Sequence, residues 1–148
     1  GMFAGTISDY VFNSRRGPVA TVLYAGMLLG IVGMFLLLGH PELGWVMAFI
    51  SLCVIGVHGM LSGTASMDFG GTKNVGIAVG LIDGFVYAGS ATQSFLYANT
   101  LPEGSGAAAK IMINWIVWPI AMIPFAIIGL VLAYKIRNVK PKPKCEKM

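Results

Sequence analysis

Four stretches of the chain are nearly unbroken runs of Leu, Ile, Val, Ala, Met, Phe and Gly, and the short segments between them hold almost all of the charge. A segment crossing a bilayer must satisfy its own backbone donors and acceptors, which requires a helix of about 20 residues. The runs at 19–38, 45–63, 75–98 and 111–134 reach that length. The turn His40-Pro41-Glu42-Leu43-Gly44 separates the first two. The pattern predicts an all-α membrane protein with four transmembrane helices. Residues 1–18 precede the first span, and 135–148 form a basic tail. Gly1 to Ile7 is apolar but too short to span, and reads as the end of a helix that begins upstream.

Composition supports lipid as the solvent. Hydrophobic residues make up 56% of the chain and charged ones 11%, against about a quarter charged in soluble domains. The net charge of +4 could suggest nucleic acid, but the basic residues lie in short loops and the tail, without interleaved aromatic stacking platforms. Strict alternation of the spans puts Arg15, Arg16, Lys73, Lys135, Arg137, Lys140, Lys142, Lys144 and Lys147 on one side and only Lys110 on the other. By the positive-inside rule, the first side is cytoplasmic, in a plasma (inner) membrane, with both termini there. The tail Lys140-Pro141-Lys142-Pro143-Lys144 cannot continue a helix and reads as a solvated anchor near anionic headgroups. Cys53 and Cys145 are not a disulfide pair, since one lies in an apolar run and the other in the tail. Cys145-Glu146-Lys147-Met148 has charged residues where a prenylation box is aliphatic.

Polar residues inside spans are the candidate chemistry, because an ionisable group at bilayer depth costs several kcal/mol or more unless it faces protein or water. Asp83 lies well within the third span. Tyr87, Ser90 and Ser94 follow at i+4, i+7 and i+11, giving one polar face. Gly76, Gly80 and Gly84 form a doubled small-xxx-small pattern suited to close helix packing. In the second span, His58 aligns with Ser51 and Ser62. Its imidazole could bind an anion, relay a proton or simply hydrogen-bond a neighbouring helix. Gly26, Gly30 and Gly33 give the first span a small-residue edge. Trp115 and Trp118 read as an interfacial belt, and Pro119 and Pro124 predict kinks in the fourth span. There is no phosphate loop, metal-ligand spacing or nucleophile elbow, so neither an enzyme nor a cofactor or metal site is expected.

The segment Gly5-Thr6-Ile7-Ser8-Asp9-Tyr10-Val11-Phe12-Asn13-Ser14-Arg15-Arg16-Gly17 has a glycine, an aspartate four residues later and then a basic pair. It resembles the cytoplasmic signature loop of the major facilitator superfamily, in the copy that joins helices eight and nine. The four spans would then be helices nine to twelve of the C-terminal six-helix bundle. The long spacing from Asp9 to Arg15, and the stretch Ser66 to Gly80, resemble the organophosphate:phosphate antiporter branch, carriers of sugar phosphates and glycerol 3-phosphate. The resemblance implies exchange of a small organic anion, a phosphate ester, for inorganic phosphate. It implies a cytoplasmic gating loop built from Gly5, Asp9, Arg15 and Arg16. It also implies that the missing N-terminal helices of the same carrier are partners, along with the anionic solute and the bilayer. The arginines that grip phosphate in that branch belong to helices outside this sequence, so the chain alone is not expected to transport. Two alternatives stay open: a proton-coupled symporter of another solute, and a sugar-phosphate sensor that carries nothing.

Overall fold

The computed structural model describes residues 16–139. Gly5, Asp9 and Arg15 of the expected gating loop, and most of the basic tail with Cys145, lie outside them. The described residues form α1 (Arg16–Leu37), α2 (Leu43–Gly59), a π-helical segment (Met60–Ala65), α3 (Ser66–Thr100), two 3-10 turns (Ala107–Lys110 and Met112–Ile116) and α4 (Val117–Lys135). No strand occurs among them. Four helical stretches, Arg16–Leu37, Leu43–Gly63, Lys73–Thr100 and Met112–Lys135, are long and apolar enough to cross a membrane. At 1.5 Å per residue, the shortest is about 31 Å long, matching the hydrocarbon core.

Local chemistry sets where the helices stop. Gly39 adopts φ +86 just past α1, the left-handed conformation that glycine takes at a helix C-terminus, and the His40 amide closes the turn onto the Leu37 carbonyl at 2.9 Å. Pro102 forces the residue before it out of the helical region, so Leu101 is extended (φ −83, ψ 148) and α3 ends. Pro119 sits in the first turn of α4, three residues after the Met112–Ile116 3-10 helix gives way to α-helix. Pro124 is inside the helix.

α1 is the middle layer, packed on α2 along one side and on α4 along the other. Its glycine edge faces α2: a Cβ on Gly26 would meet Cys53 Sγ at 3.0 Å, and one on Gly33 would meet Val46 at 3.2 Å. A Cβ on Gly30 would collide with Ile50. Gly56 of α2 returns the contact against Leu23 at 3.1 Å. Toward α4, Gly129 lies under the Tyr24 ring, and the Gly17 backbone approaches the Arg137 backbone. Leu23 and Tyr24 join the two buried clusters, one of Val19, Ala20, Met60 and Ala133, the other of Met27, Cys53 and Val57.

α3 is different. None of its spanning residues is buried, whereas α1 buries Gly17, Val19, Ala20, Met27, Gly30, Ile31 and Met34. Backbone geometry separates it: Gly71 has φ +63 and ψ 178, a region open essentially to glycine alone. The chain therefore reverses there, and α3 runs out as the second arm of a hairpin with α2.

Candidate functional site

The hairpin places the two ionisable groups of the spans at one depth. His58 lies thirteen residues before the Gly71 vertex and Asp83 twelve after it. Twelve residues of helix rise about 18 Å. Asp83 is ten residues beyond Lys73 and seventeen short of Thr100, the ends of its span, and so sits in the interior of the apolar stretch. His58 Nε2 and Asp83 Oδ1 approach to 4.0 Å, with the side chains 44% and 33% exposed.

That distance is within ion-pair range but too long for a direct hydrogen bond. Asp83 Oδ1 is sealed from the surface and has no hydrogen-bond partner among the described residues. A carboxylate oxygen in that condition is costly, and the facing imidazole is the group that can offset it. At this separation, opposite charges attract far more strongly in apolar surroundings than in water.

The backbone beside His58 is unusual as well. Met60–Ala65 runs as a π-helix, a rare widening that recurs at functional sites. Hydroxyls bond to carbonyls in it and just before it: Ser62 Oγ donates to the His58 carbonyl at 2.9 Å, and Ser66 Oγ donates to the Ser62 and Gly63 carbonyls.

Among the described residues singled out as site candidates, the structure brings the side chains of His58 and Asp83 together across two helices. Tyr87 is 74% exposed, and Ser90 and Ser94 are also exposed on the same helix. Ser51 is exposed on α2. A side chain added at Gly76, Gly80 or Gly84 would meet nothing within 4 Å. The close packing expected of that edge is not made by any described helix, because α3 leaves the bundle at Gly71. Arg16 opens α1.

Sequence reasoning missed a second link. The Tyr97 hydroxyl donates to the Trp118 carbonyl at 3.2 Å, tying the far end of α3 to α4. A tyrosine near the end of an apolar helix resembles an ordinary interfacial residue, and nothing in the spacing names a carbonyl twenty-one residues away. All three tryptophans of the chain lie at this same end, Trp45 in the first turn of α2 and Trp115 and Trp118 at the start of the fourth span. The Trp115 indole N–H donates to the Ala109 carbonyl at 2.9 Å. At the opposite end, the Arg137 guanidinium stacks 3.7 Å from the Tyr134 ring centroid.

Four apolar spanning helices, with an acid and an imidazole facing one another at bilayer depth, define a polytopic integral membrane protein. The chain is 32% identical over 104 residues, 68% of its length, to the membrane sensor protein UhpC of Escherichia coli (strain K12). It is 29% identical over 130 residues, 84% of its length, to the membrane sensor protein UhpC of Salmonella typhimurium (strain LT2). These matches cover 23% and 29% of the relatives, so the chain spans roughly a quarter of their length. No protein-family model and no solved structure matches it.

Proposed function

We propose that the chain forms helices nine to twelve of a major facilitator carrier of the organophosphate:phosphate antiporter branch, which exchanges a small phosphate ester for inorganic phosphate. The observation that carries a solute pathway in this chain is the His58–Asp83 pair, held 4.0 Å apart between two spanning helices. The branch itself rests on the resemblance of the 5–17 and 66–80 stretches. Asp83 departs from that resemblance, its position being usually small and uncharged in the branch. A chain that only anchored a protein would gain nothing from two ionisable groups at that depth. The rest of the solute site belongs to helices outside this sequence. Tyr87, Ser90 and Ser94 turn toward those helices, and Gly76, Gly80 and Gly84 pack one of them closely. The basic end, with Arg16, Lys73, Lys135 and Arg137, is cytoplasmic. In this reading Asp9, paired with Arg15 or Arg16, would latch that end, and release of the latch would accompany alternating access.

The test is counterflow in proteoliposomes containing the full-length parent and loaded with inorganic phosphate. Uptake of labelled sugar phosphate or glycerol 3-phosphate is expected, falling at least tenfold in Asp83→Ala and His58→Gln. Unchanged uptake and exchange in Asp83→Ala removes that residue from the mechanism. Uptake driven by a pH gradient without internal phosphate replaces antiport with proton symport.

A second reading is favoured by the relatives, both of which are named membrane sensor proteins. In it, the same site binds the phosphate ester, and the response passes to a partner instead of to flux. Saturable binding of the ester without counterflow selects this reading.

A further inference from the structure

A shallow hollow opens at the tryptophan end, where three spanning segments stop. Its apolar walls come from Leu38, Leu43, Met112, Trp115 and Trp118, and Lys110 stands at its rim. Leu38 is one residue past the end of the first span, Leu43 begins the second, and Met112 begins the fourth. The hollow therefore lies at the boundary between hydrocarbon and headgroups. Lys110 is two residues outside the fourth span, at the level of headgroup phosphates.

We propose that this hollow binds one anionic phospholipid, its phosphodiester on Lys110 and the upper part of one acyl chain against the Trp115 and Trp118 rings. Three features point to this occupant. The walls are apolar at a depth where acyl chains begin, so they are better covered by lipid than by water. The lining contains one cation and no acid: Glu42 and Glu103, the acidic residues of this end, are not part of it. Trp115 is already oriented, because its indole N–H is engaged by Ala109. Its ring face is thus set without waiting for a ligand, and tryptophan rings suit this depth. Behind them, Met112 closes the hollow against Gly39, where any side chain would collide with it. The proposal depends on the membrane assignment and not on which solute the protein handles.

Tryptophan quenching by brominated phospholipids tests it. The protein is reconstituted at equal mole fractions of brominated phosphatidylglycerol or brominated phosphatidylcholine. The signal is the quenching that a Trp115→Phe, Trp118→Phe variant lacks. Quenching at least twofold stronger by the anionic lipid is expected, lost in Lys110→Gln and retained in Lys110→Arg and in Lys73→Gln at the opposite end. Added inorganic phosphate should leave the preference unchanged. Equal quenching by both lipids, as when another helix covers the hollow, overturns the proposal. So does a preference that survives Lys110→Gln, or one that inorganic phosphate abolishes, which would mark a free-anion site.

Discussion

Glycines in this chain do two unrelated jobs, and single substitutions separate them. Adding a methyl at Gly129 drives it into the Tyr24 ring, and at Gly17 into the Arg137 backbone. Overpacking of this kind costs about 1–3 kcal/mol, so Gly129→Ala and Gly17→Ala should lower the unfolding midpoint in a mixed-micelle denaturation series. Gly80→Ala meets nothing among the described residues, so a loss of about 1–3 kcal/mol in the full-length parent would report the helix that packs on that edge, and a change within about 0.5 kcal/mol would count against one. The sequence displayed Gly26, Gly30 and Gly33, and Gly76, Gly80 and Gly84, as small-residue edges, with Gly17 and Gly129 in neither. It did not say which edge a neighbour covers, because a G-x-x-x-G spacing reports capacity for close approach and not the presence of a partner. Asp83 and His58 were legible for a firmer reason: burial in lipid penalises their charge wherever the neighbours are. Their mutual distance was not legible, since it depends on the vertex at Gly71. Tyr97 escaped notice because its acceptor is a backbone carbonyl, which no side-chain pattern reveals.

Among elements, α3 behaves unlike the other three. α1 holds α2 and α4 by interlocking side chains, whereas α3 is joined to the rest by the hairpin, the His58–Asp83 approach and the Tyr97–Trp118 hydrogen bond. Gly71→Ala forces a side chain into backbone geometry that costs about 1–3 kcal/mol. Amide exchange in the 60–80 region should accelerate in that variant while α1 is unaffected. Tyr97→Phe deletes a bond of about 0.6 kcal/mol by the average for membrane helices. Its expected signature is faster exchange limited to the last turns of α3. The helices themselves were readable from apolar runs, since lipid leaves the backbone little alternative. The π-helical segment was not, because Met60–Ala65 carries no periodicity to distinguish it from a frayed end. The reversal at Gly71 was hidden too, because nothing in the pair Gly70-Gly71 fixes which of them bends.

At the scale of the whole molecule, charge and aromatic residues divide the two ends. Arg16, Lys73, Lys135 and Arg137 gather at one, and Trp45, Trp115 and Trp118 at the other. In intact cells, an impermeant maleimide should label Ser105→Cys from outside, and should label Asn138→Cys only after the membrane is opened. The reverse pattern would invert the assigned topology. The isolation of α3 also makes it a long arm on a short pivot. Tyr97 lies twenty-six residues beyond Gly71, about 39 Å of helix. A tilt of about 10° at that pivot would carry Asp83 about 3 Å and Tyr97 about 7 Å. A change too small to disturb the three-helix core is thus enough to close the gap between carboxylate and imidazole or double it, and to open the tryptophan end wider than a water molecule.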